Sequence, residues 1–118
     1  SGAIDRALAT VDRGIAEVEE TGQRLHGPGL WRARGELLGL RGLASPQEIE
    51  SCHLRSLELA RALGAPTVEL QSALGMARHL RATGRAGAVR ALVEPLVGGF
   101  REGLDTGLLR DARALLES

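Results

Sequence analysis

At 118 residues the chain holds one modest domain core and not two. Its 15 basic residues are all arginine and are balanced by 15 acidic ones, so the long-range field that draws proteins onto polyanions is absent and nucleic acid is not an expected partner. A single cysteine, Cys52, leaves no internal disulfide. No apolar run approaches the roughly 20 residues that span a bilayer and no signal-peptide core is visible, so no membrane role and a cytoplasmic location are expected.

Taken in order, the apolar positions predict helices throughout. Ile4, Leu8, Val11, Ile15 and Val18 recur at helical steps on one face, and Gly22 offers the left-handed stop that a helix end favours. After the Gly27-Pro28-Gly29 break, a second helix carries Leu30, Trp31, Leu37, Leu38 and Leu40 to a stop near Gly42. In Ser45-Pro46-Gln47-Glu48 the serine is a cap, the proline fits the first turn, and the glutamate can reach back to the cap's N–H. The third helix then buries Ile49, Cys52, Leu57, Ala60 and Leu63 and ends at Gly64.

Pro66 opens a fourth helix with Val68, Leu70, Ala73, Leu74, Ala77 and Leu80, closed by Gly84. A fifth carries Val89, Leu92, Val93, Leu96 and Val97, with Pro95 expected to kink it or end it early. Past Gly98 and Gly99, a last amphipathic stretch turns Leu104, Leu108, Leu109, Ala112, Leu115 and Leu116 inward and Arg110, Asp111, Arg113 and Glu117 outward, with Asp105 or Thr106 as its cap. No stretch alternates long enough to predict a strand.

The four glycine stops are 20, 22 and 20 residues apart, so a pair of helices recurs about every 40 residues. An overlay at an offset of 40 matches Leu30 with Leu70, Ala33 with Ala73, Gly35 with Gly75, Leu40 with Leu80 and Arg41 with Arg81. This is an internal repeat of helical hairpins.

Trp31-Arg-Ala-Arg-Gly35 resembles the opening W-x2-L-G of a tetratricopeptide repeat, with Arg34 in the place of the leucine and Gln71 in that of the second tryptophan. Small residues, Ser51 and Ala88, fall on each second helix. From about residue 20 to 117 the order of segments is similar to the C-terminal helical-repeat region of bacterial signalling regulators. In those proteins an adenylate or guanylate cyclase domain, or a LuxR-type DNA-binding domain, accompanies an AAA-type ATPase module. Phe100, Glu102, Gly103, Asp105, Thr106, Leu109, Ala112, Leu115 and Leu116 keep the order of that family's closing phrase, while Gly99 and Leu104 replace two of its aromatics.

The resemblance implies an all-α fold of tetratricopeptide-like antiparallel hairpins in a right-handed superhelix of about six helices, forming one domain over 1–118. Residues 1–24 are then the second helix of a truncated repeat, 28–64 and 66–99 are repeats, and 104–118 is a capping helix that covers the last apolar face. It also implies a groove lined by the first helix of each hairpin, through Arg32, Glu36 and Gly39, then Glu69, Ser72, Met76 and His79. The expected partner is a protein, a peptide or another domain of the same parent chain, and the flank of the first helix is an expected homodimer contact.

Chemistry-bearing residues are sparse. Cys52 lies on an apolar face, and on a helix it points about 100° away from His53, so the two do not grip one metal. His26, His53 and His79 sit on separate segments, and Glu19 and Glu20 do not share a helix face, so neither a metal site nor a carboxylate pair is expected. Gly35, Gly39 and Gly42 lie within a helical pattern and form no phosphate loop. Ser51 has no base placed by any motif, and Lys and Tyr are missing altogether. Arg78, Arg81, Arg85 and Arg90 make the densest basic run, a solvated face with acidic neighbours available. No catalytic residue and no cofactor is expected; the expected function is a protein–protein interaction scaffold within a larger signalling or transcriptional regulator, with a structural or oligomerising segment as the alternative.

Overall fold

The computed structural model describes residues 2–99 and 106–117. They form α1 (Gly2–Thr21), a short 3-10 turn (Arg24–His26), α2 (Gly27–Arg41), α3 (Pro46–Leu63), α4 (Pro66–Ala82), α5 (Ala86–Gly98) and α6 (Thr106–Glu117), with no strand among the described residues. The protein is therefore all-α, as its periodicity predicts.

The four predicted stops are, among the described residues, the four with left-handed backbone: Gly22, Gly42, Gly64 and Gly84 have φ of 72°, 78°, 66° and 80°. Any residue with a Cβ is disfavoured there, and each glycine N–H closes back onto its helix. The serine half of the predicted cap forms, with Ser45 Oγ accepting from Glu48 N–H at 3.1 Å and Pro46 in the first turn.

Two boundaries differ from expectation. Gly27-Pro28-Gly29 is the first turn of α2 and not a break before it, because proline is compatible with the first helical positions. The smallness of Gly27 also matters, since a Cβ there would come within 3.1 Å of Leu59 on α3. Pro95 does not end α5, which continues to Gly98. It lies in the last turn, where its missing N–H forfeits only the bond to the Ala91 carbonyl.

Each helix packs mainly on its neighbours in the chain, and α4 also touches α2 and α6. One core gathers Leu70, Leu74, Met76 and Leu80 of α4, Val89 and Val93 of α5, and Ala112 and Leu115 of α6. The other joins Leu8, Leu38 and Cys52, with Trp31 and Ile49 packed against them. In α6 the predicted inward and outward faces are realised from Leu108 to Glu117, and Arg90 Nη2 on α5 donates to the Leu116 carbonyl at 3.1 Å. Phe100 to Asp105 lie outside the described residues, as does the side chain of Thr106, and the expected cap and closing phrase lie with them.

Arg34, the departure from the repeat motif, ties three helices together. Its Nε donates to Asp12 Oδ1 at 3.0 Å and its Nη1 to Cys52 Sγ at 3.0 Å. Cys52 is a fully buried core residue, as its place on the apolar face predicts. Leu40 departs from expectation: it is 72% exposed, whereas its repeat equivalent Leu80 is buried beneath α5 and α6. No helix among the described residues is long and apolar enough to cross a membrane.

Candidate functional site

The polar centre of the molecule is His53 on α3. It follows Ile49 and precedes Leu57 by one helical turn each, which puts it on the buried stripe, and it is 2% exposed. Room for its ring comes from two glycines on the flanking helices. A Cβ at Gly35 of α2 would lie 2.8 Å from His53 Nε2, and one at Gly75 of α4 would lie 3.1 Å from Nδ1. These are the glycines that the internal repeat superposes, so both hairpins contribute the same small position to a single imidazole.

His79 of α4, 8% exposed, stacks on this ring with centroids 6.0 Å apart and planes inclined by 28°. Its Nε2 stands 3.4 Å from Glu50 Oε1, inside ion-pair range but without hydrogen-bond alignment. Glu50 is held more directly by Arg85, whose Nη2 donates to the same oxygen. That hydrogen bond keeps the Glu50 carboxyl below the usual carboxylate range, against the opposing effect of burial. Burial, then repulsion from His79 and Arg32, lowers His53 to about 4, so its ring is neutral near pH 7. Neither His53 Nδ1 nor His79 Nε2 has a hydrogen-bond partner among the described residues.

The two rings form part of the lining of a cleft of about 460 Å³ where α2, α3 and α4 meet. Its other walls include Glu36, Gly39, Leu40, Ala44, Ile49 and Arg78. Gly39 is the repeat equivalent of His79, and a Cβ built on it meets nothing within 4 Å. Packing therefore does not require glycine at 39, and its effect is to leave the cleft open. A second hollow, of about 610 Å³, lies between α1, α2 and α4 and contains no buried polar side chain.

The residues expected to line a groove divide into three groups. Arg32, Glu36 and His79 come together, with Glu36 and His79 in the cleft wall. Arg32 lies against Gly75, with its Nε 3.8 Å from Glu36 Oε1. Glu69 sits elsewhere, accepting from Arg61 Nε at 3.2 Å across the α3–α4 turn.

Ser72 and Met76 are buried and do not face a groove. Both lie on α4, which is covered by α2, α3, α5 and α6 and so has little free face left. Met76 belongs to the larger core, and Ser72 Oγ is 2.8 Å from Ser56 Oγ, itself 2.7 Å from the Pro28 carbonyl. One hydroxyl has one proton, so Ser56 donates to the carbonyl and accepts from Ser72. These serines tie α2, α3 and α4 together with no acid or base in their chain of bonds.

Sequence reasoning passed over His53 because it weighed the residue only as a metal ligand beside Cys52. The four-residue spacing from Ile49 to His53 to Leu57, and the superposed Gly35 and Gly75, were the signals that mark it. Among the described residues no group of three or more His, Cys, Asp or Glu is placed to hold a metal ion. What the cleft offers is apolar wall, the neutral imidazole of His53, the ring of His79 and an exposed guanidinium, a lining suited to binding. No family model matches the chain, and no curated protein or solved structure matches it significantly.

Proposed function

We propose that this protein is a non-catalytic interaction scaffold of tetratricopeptide-like hairpins, working within a larger bacterial signalling or transcriptional regulator in the cytoplasm. The observation that carries the reading is the open cleft between the two hairpins. Repeat-equivalent positions, Gly35 with Gly75 and Gly39 with His79, wall it, and the side chains of the described residues leave it unfilled. Arrays of hairpins recognise partners on surfaces formed between successive repeats, and here Arg32, Glu36 and Leu40 border such a surface.

The test is a peptide selected from a displayed random library on the immobilised protein, followed by solution affinity. Arg32→Glu and Glu36→Arg are expected to weaken binding at least tenfold, while Glu69→Arg, remote from the cleft, leaves it unchanged. Equal effects of all three, or of none, overturn the assignment of the surface.

A second reading, self-assembly, is favoured by Leu40 and Leu43, which are 72% and 81% exposed on the same helix end and turn. Light scattering over a wide concentration range separates the two. A mass that stays at one chain up to high concentration removes self-assembly, and a dimer lost in Leu40→Glu/Leu43→Glu establishes it.

A further inference from the structure

The cleft contains features that a flat protein-docking surface does not need. Two polar side chains at its inner wall, His53 and His79, are more than nine-tenths buried; His53 Nδ1 has no hydrogen-bond partner among the described residues, and His79 Nε2 has only the unaligned Glu50 carboxylate at 3.4 Å. Beside them the wall is apolar, formed by Leu40, Ala44 and Ile49, and Gly39 withholds the side chain that would fill the space. Glycine in a helix interior is destabilising relative to alanine, so an open position there is not a packing solution. The volume, about 460 Å³, lies within the range of pockets that hold small organic molecules, roughly 300–1,000 Å³.

Charge decides the kind of molecule. Two acidic groups stand near the cleft, and each is neutralised: Glu36 by Arg32, and Glu50 by Arg85. Arg78 is exposed in the cleft wall and has no hydrogen bond or ion pair among the described residues. The local sum is one unneutralised cation beside an apolar cavity.

The geometry points to a binding site for a small monoanionic amphiphile, a carboxylate carrying an aliphatic or aromatic body. The carboxylate pairs with Arg78, and the body lies along Leu40, Ala44 and Ile49 over Gly39. The inference goes beyond the scaffold reading and does not depend on it.

The experiment uses octanoate as probe, with 1-octanol and octylammonium as controls, in amide NMR titrations of the whole chain, where the Gly39 and Gly75 signals report directly on the cleft. The expected result is saturable octanoate binding that moves these two glycines. The alcohol binds at least tenfold more weakly and the ammonium does not saturate. Arg78→Glu weakens octanoate at least tenfold, and Gly39→Leu, whose Cβ meets nothing within 4 Å and whose side chain fills the cleft, abolishes it; circular dichroism confirms that both variants are folded.

Absence of saturation, equal binding of octanoate and octanol, or binding that survives in Gly39→Leu overturns the proposal. N-acetyl-leucyl-leucine, with its free carboxylate, is a further arm. If it binds the same amides more than tenfold tighter than octanoate, the occupant is a chain terminus and the small-molecule assignment falls. Failure of octanoate leaves the library-peptide result untouched, so the two readings fail separately.

Discussion

Gly35 and Gly75, forty residues apart and equivalent in the internal repeat, touch the same imidazole, that of His53. The contact joins α2, α3 and α4 at the point where the two hairpins meet. Neither glycine leaves room to spare, and the buried ring cannot retreat from one without pressing on the other. Gly35→Ala therefore destabilises by about 1–3 kcal/mol through overpacking, outweighing the roughly 1 kcal/mol that alanine contributes to an open helix.

Gly39, one turn further along α2, gives the opposite sign. Nothing lies within 4 Å of a Cβ there, so Gly39→Ala stabilises by about 0.5–1 kcal/mol. Urea denaturation followed by the fluorescence of Trp31, the chain's one tryptophan, measures both. A stabilising Gly35→Ala would falsify the packing around His53.

The same ring sets a pH dependence. His53 has a folded value of about 4 against an ordinary 6.5, so between those limits the unfolded chain binds more protons than the folded one. Stability is then fully present above about pH 6.5 and falls as the pH drops toward 4, by about 3 kcal/mol at most. Glu50, also lowered, contributes stability that is present above its unfolded value of 4.5 and is lost only as pH falls through its lower folded value. Loss of stability between pH 6.5 and 5 thus separates the contribution of His53 from that of Glu50. His53→Gln is expected to flatten that part of the curve, and an unchanged slope in the variant contradicts a neutral buried ring.

Ser45→Ala removes the acceptor of the Glu48 N–H at the start of α3 and costs about 1 kcal/mol. Thermal unfolding by circular dichroism reads this as a lowered midpoint. A wild-type midpoint would mean that the cap contributes nothing.

The buried serine pair predicts an asymmetric result. Ser56→Ala leaves the buried Ser72 hydroxyl without its acceptor and takes the side-chain hydrogen bond from the Pro28 carbonyl, costing about 1–3 kcal/mol. Ser72→Ala leaves the Ser56–Pro28 bond in place and costs less. Equal costs in urea denaturation would mean that the Ser56–Pro28 bond adds nothing to stability beyond the serine pair.

Helix positions were legible because the signals are local: a glycine stop after each of the first four helices, a serine–proline start at α3, and apolar steps of three and four in segments such as α1 and α5. The first turn of α2 was misread because a proline between glycines has the composition of a loop, although proline and a small residue are what a tight helix entry beside Leu59 needs. The candidate site was legible only in part. Arg32, Glu36 and His79 share a face with the cleft, but Ser72 and Met76 were placed by analogy with a two-layer repeat. The face of α4 that holds them is covered by neighbours from both sides in the chain. His53 was missed because its role depends on two glycines far away in sequence, and only the repeat overlay connects them.

The proposed meeting place of this protein and its partner is the cleft beside Gly39. The most direct measurement is the affinity of a library-selected peptide for Gly39→Leu beside the wild-type chain, by fluorescence anisotropy, with both proteins shown to be folded. A loss of at least tenfold is predicted, because the new side chain occupies the space that the glycine leaves open. Unchanged affinity in the folded variant would contradict the claim and move recognition to another face of the molecule.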